Sequence, residues 1–187
     1  MKAKINKVTI QITQGDIFTL PVASVVVEAD TDLTLSPSVL SRTGLGLQRE
    51  IAEIGYCEVG SAVMTSAGNL PVEKLIHVVG PRWGEGSERG KLANATFECL
   101  RLAETAHLKS IAFPAISTGS MGYPLENCAT TMLSHIVDYT FEDLRYLRGV
   151  AICLTDKLPY EVFCREFQLQ LNMLKEDGSA KVQHVQV

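Results

Sequence analysis

Apolar and polar positions along the chain divide it into strands and helices that alternate. Val8 to Ile12 repeats with period two and is β-branched, which predicts a strand ending at the turn Gln14-Gly15-Asp16. Ser24 to Val27 is a short β-branched run suited to a strand buried on both faces. Ser36 and Pro37 form a helix start, with Ser36 as N-cap and Pro37 in the first helical position. That helix is expected to run to about Ile54, with a break near Gly44 and Gly46. Ser61 to Ser66 and Lys74 to Val79 read as two strands joined by the turn Ala67 to Pro71, and Pro81 to Gly90 as a glycine-rich loop. Lys91 to His107 carries Leu92, Ala95, Cys99, Leu102, Ala103 and Ala106 at three- and four-residue steps, the stripe of an amphipathic helix. Ser110 to Phe113 is a short apolar strand, Pro114 to Tyr123 a loop, and Pro124 opens a helix whose inner stripe includes Cys128, Met132, Ile136 and Tyr139. A strand at Val150 to Leu154 and a helix at about Pro159 to Leu174 complete the domain. Residues 1–174 therefore read as one domain, and 175–187 as a mobile tail in which Val182 to Val187 is an alternative edge strand.

Strands separated by amphipathic helices predict an α/β domain whose largely parallel sheet is covered on both faces. In such sheets ligands sit beyond the carboxyl ends of the strands. The segments Asp30 to Val39, Ser117 to Tyr123 and Thr155 to Pro159 leave strands at that end.

Composition narrows the ligand. The chain has 187 residues, 46% hydrophobic and 20% charged, with a formal net charge of -4, which argues against non-specific binding to nucleic acid or an anionic membrane. An anionic small molecule stays open, because backbone N–H groups hold phosphate without any lysine. Five cysteines at wide spacings, with no C-x-x-C, argue against a disulfide framework or a zinc site, and no metal or cofactor is expected. With no signal-like h-region and no run of eighteen apolar residues, the expected location is the cytoplasm.

The strongest local signal is Ser110 to Pro124, SIAFPAISTGSMGYP. A buried strand runs into a loop with hydroxyl residues, two glycines and an aromatic, and a helix follows. Gly119 and Gly122 are expected to take left-handed angles, and the amides of Ser117, Thr118, Gly119, Ser120, Met121, Gly122 and Tyr123 to form an anion nest. A plain strand-to-helix turn is the competing reading of the same residues.

This segment resembles the second ADP-ribose loop of macrodomains, as does Gln14-Gly15-Asp16-Ile17 near the start. Lys74 to Pro81, preceded by Gly60 to Thr65, is similar to the family's central hairpin. The resemblance covers roughly residues 5 to 170. It implies a three-layer α/β/α sandwich around a mixed sheet of about six strands, and a site for ADP-ribose or a related nucleotide diphosphate. By resemblance, Asp16 accepts the adenine amine, the Ile17 backbone touches the ring, loop two holds the phosphates, and Tyr123 lies along the ribose or phosphate. Leu154 and Thr155 flank the adenine, and Asp30 and Val39 belong to the first loop.

That first loop departs from the family pattern. Where hydrolase members carry Asn-Ala-Ala-Asn, this chain has Val27-Glu28-Ala29-Asp30, and Gly-Gly-Gly-Val is replaced by Ser36-Pro37-Ser38-Val39. Proline lacks an N–H and serine tolerates positive φ poorly, so a looser approach to the diphosphate is expected. Leu40 stands where hydrolases often have an aspartate, and Leu154-Thr155-Asp156 where an aromatic often stacks on adenine. Asp30 is the remaining weak candidate for catalysis, with capping of a backbone N–H as its plainer role. Three functions compete: a binding module for free or protein-linked ADP-ribose, a hydrolase of ADP-ribose esters, and a scaffold that binds no nucleotide. The damaged first loop weights the first over the second. His77, inside an apolar strand, reads as a core histidine rather than a base.

Overall fold

The fold was analysed in a computed structural model that describes residues 1–186. Eight strands form one mixed sheet: β1 (Lys2–Ile5), β2 (Val8–Gln14), β3 (Ser24–Glu28), β4 (Ala62–Thr65), β5 (Lys74–Val78), β6 (Ser110–Phe113), β7 (Gly149–Leu154) and β8 (Val182–His184), in the order β4-β5-β3-β6-β7-β2-β1-β8. The five central strands β5, β3, β6, β7 and β2 run parallel, and β4, β1 and β8 add antiparallel pairings at the edges. The class is the expected one, with eight strands in place of about six.

The extra strands are both terminal. Lys2–Ile5 pairs with β2 through a tight turn in which Asn6 takes φ +55°, a conformation its short amide side chain tolerates. The edge-strand alternative for the last residues is present over Val182–His184, which pairs with β1. Val187, the end of that alternative, lies outside the described residues.

Helices α1 (Pro37–Thr43), α2 (Gln48–Ile54), α3 (Glu88–Thr105), α4 (Leu125–Tyr139) and α5 (Lys157–Asp177) cover the sheet. α1 and α2 are the one helix expected from Ser36 to Ile54, broken by a turn of 3₁₀ helix at Leu45–Leu47. Gly44 takes φ +75° at the break, an angle that L side chains rarely adopt. Ser36 accepts the Val39 N–H through its side chain, with Pro37 in the first turn, as the N-cap reading requires.

The two faces are covered unequally. β3 alternates: Val26 packs with the large core beneath α3, α4 and α5, while Val25 and Val27 face α1 and α2. The large core contains Phe113, Phe163 and Phe167, all fully buried, each contributing about 2–3 kcal/mol by removal from water. Among the described residues no helix is long and apolar enough to cross a membrane.

Candidate functional site

Because β2, β3, β6 and β7 run parallel, their carboxyl ends meet on one edge, and the loops after them enclose a crevice in two lobes. One lobe, about 560 Å³, is lined by the segments after β3 and β5 and by loop 117–121, including Asp30, Ser36, Gly80, Arg82 and Met121. The other, about 480 Å³, is lined by Asp16, Ile17, Arg42, Thr118, Leu154 and Thr155 among others. Glu28 and Gly119 line both lobes, so they stand at the junction. These volumes suit a ligand of nucleotide size. A further hollow of about 380 Å³, with Thr9, Ser110 and Gly149 in its wall, lies at the opposite, amino-terminal ends of the strands.

The loop after β6 does not present seven free amides. The Ser117 N–H donates to Glu28 Oε1 at 2.6 Å. Those of Thr118, Gly122 and Tyr123 go to the carbonyls of Ala115 (3.4 Å), Gly119 (3.0 Å) and Ser117 (2.9 Å). The N–H groups of Gly119, Ser120 and Met121 have no acceptor among the described residues. The nest is therefore three consecutive donors wide. Its backbone also differs from expectation. Gly122 is left-handed (φ +74°) but Gly119 is not, and Ser117 takes the strained angle instead, at φ +66°. Gly119 matters for access: nothing lies within 4 Å of where its Cβ would project. Ser117 packs closely against the backbone of Gly80, where a Cβ would overlap the Ser117 Oγ. That hydroxyl is buried without a hydrogen-bond partner.

Glu28 ends the buried strand β3. The residue is solvent-exposed, with its carboxyl opening onto the crevice and many protein atoms packed around it. Burial pushes the carboxyl above its ordinary range, although the Ser117 N–H pulls the other way.

In the lobe it lines, Asp16 caps the 3₁₀ turn Ile17–Thr19, accepting the Phe18 N–H on Oδ1 at 3.0 Å. Its Oδ2 accepts from Arg42 Nη2 at 2.6 Å. The Arg42 guanidinium lies 4.9 Å from the Phe18 ring centroid, a cation–π contact. Ile17 and Thr155 line this lobe, and Leu154 is buried, its carbonyl accepting the Gly15 N–H at 2.9 Å.

In the other lobe Asp30 Oδ1 accepts the Thr34 N–H at 2.9 Å, the capping role. Ser120 and Met121 line the same lobe, and the Met121 carbonyl takes the Trp83 N–H at 2.9 Å. Two expected site residues stand apart from the crevice. Val39 is buried with Val25, Val27, Leu47 and Leu75, and its N–H goes to Ser36 Oγ at 3.4 Å. Tyr123 is buried edge-on to Trp83, ring centroids 5.1 Å apart, and borders a separate surface hollow with Arg89 and Thr131.

His77 is fully buried, paired at Nε2 with Thr65 Oγ1 at 2.8 Å, and burial lowers its pKa to about 4, so it is a neutral core residue at pH 7. The five cysteines are unbonded, and no cluster suited to a metal ion occurs among the described residues.

Glu28, Arg42 and Arg82 were not singled out by the sequence reading. Glu28 had a signal: a lone charge at the carboxyl end of a strand otherwise buried on both faces, where α/β sheets place ligands. Arg42 and Arg82 had none, since each reaches the crevice from an exposed element by side-chain length alone.

The family model described as Macro domain matches residues 35–132, just over half of the chain. An O-acetyl-ADP-ribose deacetylase of Pantoea vagans is 32% identical over 170 residues, covering 83% of this chain and 96% of that protein. Among solved structures, an Oceanobacillus iheyensis macrodomain with ADP superposes with a TM-score of 0.87 at 27% identity, covering 92% of this chain and 97% of the other. A Trypanosoma brucei macrodomain in complex with ADP-ribose gives 0.77 at 26% identity, covering 83% and 68%.

Proposed function

This chain belongs to the macrodomain family, and from that premise we propose that its crevice binds ADP-ribose or a closely related nucleotide diphosphate. The observation that carries the reading is the row of three unclaimed amides, Gly119, Ser120 and Met121, which starts at the junction of the two lobes and runs along one of them. Oriented backbone N–H groups hold phosphate oxygens without a lysine. In this reading the adenine enters the lobe of Asp16, Ile17, Leu154 and Thr155. The diphosphate rests on the amides of Gly119, Ser120 and Met121, and the distal ribose lies toward Asp30 and Ser36 in the same lobe. The partner is a small molecule or an ADP-ribosylated protein.

Binding is weighted over turnover because Asp30, one of the carboxylates lining the distal lobe, spends Oδ1 on the Thr34 N–H. Leu40 stands where hydrolase members often have an aspartate. The name of the Pantoea relative supports a second reading, hydrolysis of an ADP-ribose ester.

Titration calorimetry with ADP-ribose tests the first reading. Heat saturating at one site per chain, with micromolar or weaker affinity, is the expected result, and silence at millimolar ligand contradicts it. Gly119→Val projects a branched side chain into open crevice and is expected to abolish the signal without unfolding the domain. Unchanged affinity would remove the phosphate from this loop. Release of ADP-ribose from the O-acetyl ester separates the second reading from the first.

A further inference from the structure

The Ser117 amide, first in the row of loop N–H groups, already has an anion on it, and that anion is a side chain of the protein. We propose that Glu28 is a specificity-determining residue: its carboxylate fills the anion position at the head of the phosphate loop, so the crevice binds an ionised diphosphate more tightly when Glu28 carries a proton. The inference rests on the ADP-ribose reading and adds to it the charge state that the ligand must meet.

Three observations carry it. Glu28 lines both lobes, so any ligand long enough to occupy both passes over its carboxyl. The three free amides follow the Ser117 N–H within four residues, so a phosphate held by Gly119 to Met121 lies beside Glu28. Both cations near the crevice sit in exposed ion pairs: Arg42 with Asp16 at 2.6 Å, and Arg82 with Glu85 at 3.5 Å, its Nη1 also donating to the Ser120 carbonyl at 3.5 Å. The other groups facing the junction are Asp30 on one side, Asp156 and Cys153 on the other, and Cys128 beneath the loop, none of which supplies positive charge. Two like charges so close in a partly desolvated crevice repel strongly, and protonating the carboxyl removes the repulsion. A protonated Glu28 still accepts the Ser117 N–H through its carbonyl oxygen and gains an O–H donor for a phosphate oxygen. Burial raises the carboxyl toward that state, against the opposing pull of the Ser117 N–H.

The sign follows from linkage. A ligand anion raises the carboxyl's pKa further, so binding takes up a proton between the free and the bound values. Affinity is greatest below the free value, falls as pH rises through it, and levels off above the bound value. ADP-ribose suits the measurement, because each of its phosphates is a diester carrying one charge throughout this range.

Calorimetric titration of wild type and Glu28→Gln with ADP-ribose, at about pH 6 and about pH 8, tests the proposal. Glutamine keeps an acceptor for the Ser117 N–H and carries no charge. Wild type is expected to bind roughly tenfold more weakly at the higher pH and to take up a proton, seen as a heat that varies with the buffer's ionisation enthalpy. Glu28→Gln is expected to bind about tenfold tighter than wild type at the higher pH, with equal affinity at both. Equal affinities for the two proteins, or wild-type binding without proton uptake, overturns the assignment while leaving the ADP-ribose reading intact. Silence from both proteins at both pH values overturns the ADP-ribose reading and this inference with it. Because proton uptake is read on wild type, the test stands even where the variant folds poorly.

Discussion

Asp16 shows how one residue can keep its local role and its ligand role in competition. Its side chain stabilises the turn after β2 through the Phe18 N–H and also accepts from Arg42. An adenine amine approaching Oδ2 must share it with a guanidinium. Both partners of the ion pair are well exposed, with side chains 44% and 38% accessible, so the pair itself contributes no more than about 1 kcal/mol to folding. Arg42→Ala is therefore expected to leave the melting temperature nearly unchanged and to raise ADP-ribose affinity up to about fivefold, the equivalent of 1 kcal/mol. A fall in affinity would mean that Arg42 touches the ligand itself. Comparing ADP-ribose with ribose 5-phosphate assigns the change to the base, since only the former carries one.

At the scale of elements, the connection from α4 to β7 depends on one carboxylate. Glu104, near the end of α3, accepts the N–H groups of Arg145 (2.6 Å), Tyr146 (3.2 Å) and Leu147 (2.8 Å). Desolvation pushes its carboxyl up, but the three N–H bonds outweigh that and hold it below the ordinary range. The stability it adds is present above the unfolded-state pKa and is lost as pH falls through the lower folded-state value. Glu104→Ala is expected to cost about 1–2 kcal/mol in denaturant unfolding at neutral pH, by orphaning amides that solvent satisfies only in part. A change below about 0.3 kcal/mol would show that water replaces the carboxylate without loss. The crevice lies at the other end of the parallel strands, so ADP-ribose affinity should not move.

For the molecule as a whole, periodicity made the layers legible because β3 and β6 are apolar on both faces, β2 alternates, and each helix is apolar on one face. Val25 to Val27 and the stripe on α3 could be placed by counting. Lys2–Ile5 was missed because four residues with two lysines have a single buried face and no apolar run. The crevice was legible as a location, since topology alone brings the ends of β2, β3, β6 and β7 together. Its chemistry was legible only in part. Which amides of residues 117–123 stay free depends on hydrogen bonds to Glu28, eighty-nine residues away in sequence, and on carbonyls within the loop. Tyr123 turns to Trp83 for a similar reason: an aromatic at a helix start takes whichever hydrophobic neighbour the fold supplies, and loop 81–87 supplies one.

Backbone amide chemical shifts of the labelled protein, followed by NMR as ADP-ribose is added, test the central claim most directly. The account predicts that Gly119, Ser120 and Met121 show the largest displacements and saturate together, as N–H groups newly bonded to phosphate oxygens do. Saturating displacements confined to the Trp83 hollow or to the amino ends of the strands, with those three amides unmoved, would contradict it.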